Sequence, residues 1–355
     1  MIVFLLYGLY LAVSLLVFFF TIKMDHAPTV ESFPFISVVI AARNEEKNIR
    51  ACLESLRSQR FPREGYEVLI VDDHSTDATP AILRSYLELQ ENFRCFELAE
   101  GLSGKKSAMT FGIKEARGEY IFQIDADCTA PGNWLSELGS HLGAHNALVG
   151  GFTLIPGPRK ILERIQALEL HYMLSVGKAV SRTVRTLSLF GNNTAFNKSS
   201  YERAGGYESL GKDISIDYQL VRAFHERKIG QAELVFNADS AVFTEPMKSF
   251  KDYFHQKKRW ALGVFDTIPG WKLILLPSLA LYLGASLYPF FTKYFLLIFL
   301  MRLVADLGIM FNSLRRFRQC GLIPWLLFFQ INLTLMVAGL GCLLLFSPKI
   351  NWKGR

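Results

Sequence analysis

Residues 1–22 contain no charged side chain, and a second apolar block begins near Leu273 and runs almost to the C-terminus. About twenty apolar residues are enough to cross a bilayer as a helix. A chain bounded in this way is expected to place a water-facing domain, about residues 34–265, between membrane segments. The composition agrees, with half the residues hydrophobic and 29 of them Phe. A signal peptide would need a basic leading region and a small-residue cleavage site. Residues 1–22 have neither, so an uncleaved transmembrane anchor is expected there. Further spans are expected at Leu273–Phe291, Tyr294–Phe311 and Gly321–Ser347, which together give C-terminal transmembrane helices over 273–347. Arg302 and Asp306 fall four apart inside the middle span, where they can pair on one helix face.

The net charge of +7 fits a membrane surface better than nucleic acid. Basic residues cluster beside the apolar spans (Lys257, Lys258, Arg259; Arg315, Arg316, Arg318; Lys349, Lys353, Arg355), and no basic nucleic-acid module is visible. The positive-inside rule places such loops in the cytoplasm, so a multi-pass cell-membrane protein with its water-facing domain in the cytoplasm is expected. Three C-terminal spans would put the Arg315 loop and the basic tail on opposite sides, which requires one segment to be re-entrant or interfacial. Five cysteines without a Cys-x-x-Cys spacing argue against a disulfide framework or a zinc site and agree with a reducing compartment. Cys128, beside two carboxylates, reads as a buried bystander.

Between the apolar blocks, strand and helix signals alternate. Ile36–Ala42 is a short apolar run with β-branched residues, hence a buried strand. Asn44-Glu45-Glu46 leads into a helix whose apolar residues Ile49, Cys52, Leu53 and Leu56 follow helical spacing. A strand is expected over Glu67–Asp73, and a helix opening at Thr79 with Pro80 in its first turn. Strand Phe93–Leu98, helix Lys105–Ala116 and strand Tyr120–Asp127 follow. Such alternation with short connections predicts a mostly parallel α/β sheet covered on both faces. Ala147–Glu245 mixes short strands and helices less regularly.

In an open α/β sheet, ligands bind outside the carboxyl ends of the strands. Two carboxylate-bearing turns, Asp72-Asp73 and Asp125-Ala126-Asp127, fall at such ends. Oxygen ligands suit a hard divalent cation that shares a substrate's phosphates. Gly104-Lys105 lies on the same side at a helix N-terminus, where backbone N–H groups favour phosphate. Together these groups describe a nucleotide-diphosphate site. Taken singly, the Asp turns could be helix caps and Lys105 a solvated helix start.

At this point the chain resembles the membrane-bound family-2 glycosyltransferases, the branch with ceramide glucosyltransferases and polysaccharide synthases. The resemblance rests on Val39–Glu46, on Val71-Asp-Asp73-His-Ser75-Thr-Asp77, on Gly104–Ala108 and on Asp125-Ala-Asp127. It continues through Gly191–Phe196, Ala204–Tyr207 and Gln256-Lys-Lys-Arg259-Trp260, so motifs in family order cover essentially the whole chain. It implies a GT-A fold, a Rossmann-like sheet that holds a nucleotide-sugar through Mg²⁺ or Mn²⁺. By that resemblance Ala41 and Glu45 would line the nucleotide pocket and Asp73 would contact base or ribose. Lys105 would face the diphosphate, and Asp127 with Asp125 would hold the metal.

Many relatives carry Thr-Glu-Asp at the catalytic base, whereas this chain reads Ser215-Ile216-Asp217. Asp217 is the expected base because Asp217–Leu220 keeps the family's spacing into the next helix, with Asp213 as the rival. The resemblance implies an inverting transfer from a nucleotide-sugar, UDP-linked by family expectation, to a lipid or lipid-linked acceptor.

Ser249–Val264 has the pattern of an interfacial amphipathic helix over 249–265, with Phe250, Tyr253, Phe254, Ala261 and Val264 on one face and Lys257 and Lys258 off it. It would bring Gln256, Arg259 and Trp260 to the bilayer surface as acceptor and diphosphate contacts, after a GT-A domain over 34–248. The competing readings are a processive polysaccharide synthase and a non-catalytic nucleotide-sugar-binding protein. A transporter fits less well, because the polar constellation lies outside the spans.

Overall fold

The computed structural model describes residues 2–265 and 295–346, apart from 24, 27, 88–89, 144–145 and 212–215. The chain divides into two compact units. One gathers residues 24–156 and 180–245; the other gathers 1–23, 157–179 and 246–355.

The first unit is built on a seven-stranded sheet. Its strands are β1 (Ile36–Ala42), β2 (Tyr66–Asp72), β3 (Phe93–Glu97), β4 (Tyr120–Ile124), β6 (Asn146–Gly150), β8 (Asn193–Asn197) and β9 (Gln231–Leu234), in the order β3-β2-β1-β4-β8-β6-β9. Helices α2 (Ile49–Arg57), α3 (Thr79–Leu87) and α4 (Lys105–Glu115) alternate with the first four strands, as the sequence predicts. Ile49, Cys52, Leu53 and Leu56 are the buried face of α2. β1 and β2 are buried along nearly their whole lengths, which is why they read as continuous apolar runs rather than alternating ones.

One strand boundary needs correction. The strand expected over Tyr120–Asp127 ends at Ile124, so Asp125 and Asp127 stand on the turn beyond it. The sheet is mostly parallel, as expected, with β8 alone running antiparallel to both its neighbours, β4 and β6. The pairing of Asn193 with Ile124 then brings the Gly191-Asn192 turn beside the Asp125–Asp127 turn. A small second sheet of β5 (Cys128–Thr129), β10 (Val242–Thr244) and β7 (Thr153–Leu154) continues from that turn.

The second unit is helical. It contains α1 (Ile2–Ile22), most of α6 (Ile161–Thr183), α9 (Phe250–Phe265) and the helices Phe295–Arg316 and Leu326–Phe346. Asn312 Nδ2 donates to Phe18 O at 2.8 Å and to Thr21 Oγ1 at 3.1 Å, tying helix 295–316 to α1. Asp306 accepts a hydrogen bond from the Tyr10 hydroxyl, so a partner for it comes from another helix.

By length and composition, one stretch among the described residues can cross a membrane: Cys320–Gly341. Gly8–Ile22 of α1 is apolar but shorter. The expected span Leu273–Phe291 lies outside the described residues. Around Pro324, Cys320–Trp325 forms a 3₁₀ turn before helix Leu326–Phe346 begins.

Candidate active site

The site begins where β1 ends. Asn44 adopts φ +55°, a conformation that Asn tolerates, and its turn interlocks with the turn after β2. Asn44 N–H donates to Ser75 Oγ at 2.9 Å, while Thr76 N–H donates back to Asn44 Oδ1 at 2.8 Å. Glu46 N–H donates to Asp77 Oδ2 at 3.1 Å, and Ala78 N–H to Glu46 Oε2 at 3.1 Å. Asp77, rather than Asp72 or Asp73, caps α3, with its Oδ1 accepting from Thr79 N–H at 2.9 Å. Asp72 is occupied by Ser75, whose hydroxyl donates to Oδ1 at 2.5 Å. Glu45 is half-buried and accepts from Asn48 Nδ2 at 2.9 Å, and Ala41 is half-buried on β1.

Asp73 is buried, and its two oxygens differ. Oδ2 accepts from Gly104 N–H at 2.9 Å and from Arg43 Nη1 at 3.2 Å. Oδ1 is buried with no hydrogen-bond partner among the described residues. A buried carboxylate oxygen left unpaired costs free energy, and a donor on a ligand would satisfy it. The Gly104 N–H expected to face phosphate is thus taken by Asp73; Gly104 sits at φ +94°, which a side chain would strain.

Lys105 follows in the first turn of α4. Its Nζ lies 2.6 Å from Asp125 Oδ1. Crowding by protein would lower its pKa, but Asp125 and then Asp217 outweigh this and raise it. Burial, the Asp125 charge and the Glu45 charge push the Asp127 carboxyl up to about 6. Cys128 is fully buried and its Sγ donates to Asp127 Oδ1 at 3.4 Å. Burial drives that thiol well above its ordinary pKa, which keeps it protonated.

Asp217 lies in the first turn of α8 (Ile216–Glu226). Its Oδ2 accepts from Gly191 N–H at 3.0 Å. The rival Asp213, with Ser215, lies outside the described residues. The structure therefore brings Glu45, Lys105, Asp125, Asp127 and Asp217 into one electrostatic cluster, and the Gly104 N–H ties Asp73, at the end of β2, to the residue before Lys105. Arg43 and Gly191 are partners that sequence reasoning missed; Gly191, in the Gly-Asn-Asn-Thr run, is the one its motif could have flagged.

A divalent cation fits this donor set. Asp125 and Asp127 offer hard oxygen ligands with Glu45 nearby, against the single ammonium of Lys105. No group of three or more ligating side chains occurs among the described residues, so a metal here would draw its remaining ligands from phosphate and water.

Gln256, Arg259 and Trp260 belong to the helical unit, on α9, each half-buried. The expectation that Lys257 lies off the buried face of that helix does not hold. Lys257 is buried, with Nζ 2.9 Å from Glu169 Oε2, 3.9 Å from the Trp260 ring centroid and 5.2 Å from that of Tyr253. Tyr253, itself fully buried, donates to Glu169 Oε2 at 2.8 Å and accepts from Asn332 Nδ2 at 3.1 Å. The aliphatic stem and the Glu169 partner let Lys257 enter an interior that its charge alone would forbid.

Residues 37–205, which hold Ala41, Glu45, Asp73, Lys105, Asp125 and Asp127 but not Asp217, Gln256, Arg259 or Trp260, match the family model described as Glycosyl transferase family 2. Residues 37–205 are a family-2 glycosyltransferase domain. Glycosyltransferase AglE of Haloferax volcanii is 35% identical over 121 residues, 34% of this chain and 40% of that protein. The beta-monoglucosyldiacylglycerol synthase of a Synechocystis species is 25% identical over 237 residues, 66% of this chain and 48% of that protein. The chain thus spans about half the length, or less, of these two relatives. Among solved structures, the family-2 domain and its helical unit resemble the mannosyltransferase PcManGT from Pyrobaculum calidifontis, solved with GDP-Man and Mn²⁺. The TM-score is 0.59 at 18% identity, with 98% of this chain and 99% of that chain covered. The likeness extends the shared fold beyond the residues of the family model.

Proposed function

We propose that this protein is an inverting glycosyltransferase that moves a sugar from a nucleotide-diphosphate sugar to a lipid or lipid-linked acceptor at the cytoplasmic face of a membrane. The observation that carries this reading is the cluster of Lys105, Asp125, Asp127 and Asp217 beside the unpaired Oδ1 of Asp73. Asp73 Oδ1 is an acceptor for a donor group on base or ribose, with Ala41 and Glu45 lining the same pocket. Asp127 with Asp125 would hold Mg²⁺ or Mn²⁺, which would supply positive charge to the leaving diphosphate.

Asp217 takes the proton of the acceptor hydroxyl as the hydroxyl attacks the anomeric carbon. General-base help of this kind is typically worth about 10²–10⁴ in rate. Lys105 supplies a positive charge next to the leaving diphosphate. One displacement inverts the anomeric centre, so an α-linked donor gives a β-linked product. The residue that replaces the usual Glu of the base motif, Ile216, is buried in α8. Asp217 is oriented instead by Gly191.

A lipid acceptor is supported by the apolar segments Gly8–Ile22 and Cys320–Gly341 and by the lipid named for the Synechocystis relative. Four spans, at 1–22, 273–291, 294–311 and 321–347, with a GT-A domain over 34–248 and α9 near the bilayer surface, remain the proposed organisation. In it Gln256, Arg259 and Trp260 serve the acceptor and the diphosphate. UDP-sugars are the first donors to test, with GDP-sugars beside them because the Pyrobaculum structure holds GDP-Man.

The deciding experiment is nucleotide release by purified protein in detergent, across UDP- and GDP-sugars with Mg²⁺ or Mn²⁺, with and without a membrane-lipid extract. Release that requires metal, lipid and Asp127 supports the reading. Silence across the panel in a protein that still binds nucleotide would instead mark a non-catalytic binder. Product length separates one added sugar from a processive ladder.

A further inference from the structure

Lys105 and Lys106 stand side by side in the first turn of α4 and use their charges differently. Lys105 pairs with Asp125. Lys106 turns to the other half of the domain, where its Nζ donates to Leu210 O at 2.8 Å and to Gly211 O at 3.0 Å. Hydrogen bonds from an ammonium to carbonyl oxygens are charge-assisted and stronger than neutral ones. The two carbonyls end the turn Tyr207–Ser209 and lie six and seven residues before Asp217.

The front of the same turn is held by a second contact. Tyr207 OH donates to Gln123 Oε1 at 2.7 Å, and Thr194 Oγ1 donates to the same oxygen at 3.1 Å. All three side chains are buried. Burial, then the nearby Asp217 charge, holds the Tyr207 phenol far above its ordinary pKa, so it stays a donor. Gln123 lies two residues before Asp125 on the chain, and Lys106 one residue after Lys105. Each end of the turn is therefore fixed to a residue one or two positions from a donor-site group.

We propose that Lys106 and Tyr207 are positioning residues that fix the turn 207–211 to the donor site and thereby set the distance from Asp217 to the sugar held beside Lys105 and Asp125. The inference rests on the reading of Asp217 as the base. It assigns a task to the second lysine of the Gly-Lys-Lys run that phosphate binding does not use. A misplacement of about 1 Å at a reacting group can cost about 100-fold in rate, so two hydrogen bonds that define this distance have a measurable effect on kcat.

The test uses the full chain in detergent and the variants Lys106→Met, Lys106→Arg and Tyr207→Phe, none of which removes a core side chain's volume. Three quantities are measured: hydrogen exchange of the amides in 207–211, binding of UDP and GDP with Mn²⁺, and nucleotide release with lipid extract. For Lys106→Met and Tyr207→Phe we expect faster exchange in 207–211, nucleotide Kd within about twofold, and kcat lowered about 10- to 100-fold. Lys106→Arg, which keeps the charge and the donors, should retain most of kcat. Unchanged exchange and kcat in both variants would overturn the proposal. So would a fall in kcat matched by an equal loss of nucleotide affinity, which would make Lys106 a donor-binding group. Faster exchange in a protein that releases no nucleotide from any donor would uphold the attachment of the turn and reject the transferase reading instead.

Discussion

The carboxylate of Asp217 is packed directly against the backbone of Gly191. The Gly191 N–H donates to Oδ2 at 3.0 Å, and a Cβ built on Gly191 would lie 2.6 Å from Oδ1. Glycine is needed here for space, because its φ lies outside the left-handed region. Gly191→Ala is therefore expected to displace the base while leaving the fold intact, with kcat down about 100-fold and nucleotide affinity preserved. Asp217→Asn should abolish transfer with equal retention of folding. Nucleotide-release kinetics and a thermal melt of both variants check this, and full activity in Asp217→Asn would move the role to Asp213.

Asp127 is the carboxylate of the pair that Lys105 does not engage at bonding distance. Asp127→Asn should raise the Mn²⁺ concentration needed for half-maximal nucleotide release at least about tenfold, the range seen when a metal-site group is weakened. EDTA should silence the wild type, and added Mn²⁺ should restore it. Metal titrations of release by wild type and variant measure both effects.

The buried Lys257–Glu169 pair makes a stability prediction for the helical unit. Removing one partner of a buried ion pair strands the other and costs about 3–5 kcal/mol. Lys257→Met should lower Tm clearly, and adding Glu169→Gln should recover much of the loss because no charge is then left unpaired. Melting curves of the single and double variants in one detergent complete the cycle.

Trp260 has Lys257 against its ring, 3.9 Å from the centroid, which holds the indole in one orientation. Trp260→Ala should reduce lipid-dependent nucleotide release while the protein stays in the membrane fraction. If the variant leaves the membrane but keeps its catalysis in detergent, Trp260 is an anchor and not an acceptor contact.

His141 supplies a pH dependence. Burial works against its charge, but the carboxylates of Glu137 and Glu233 outweigh it and push its pKa up to about 9. The unfolded value is about 6.5. The folded state thus binds the proton more tightly, so this stabilisation is complete below about pH 6.5 and is lost as pH rises through about 9. Tm should fall across that window, and His141→Gln should flatten the slope.

The donor half of the domain was legible because its signals are local. β1 and α2 follow from apolar runs and helical spacing, and the carboxylates at the strand ends follow from their place in an alternating pattern. The β8 pairing was not legible. Nothing in Asn193–Asn197 states that it runs antiparallel beside β4, yet that register places Gly191 near Asp125. Lys257 of α9 was placed off the apolar face, yet it stands four residues after Tyr253 and is buried on the same side of the helix; that Glu169 is its partner only the fold shows.

The strand–helix alternation, the chemical groups and the apolar segments follow from composition and from spacing within a few residues. Which groups meet depends on the packed fold. Asp73 takes the Gly104 N–H, Lys105 pairs with Asp125 while Lys106 reaches Leu210 and Gly211, and Gly191 orients Asp217. Those contacts join residues tens of positions apart, and they form because buried backbone groups and charges must find partners wherever the packed sheet presents them.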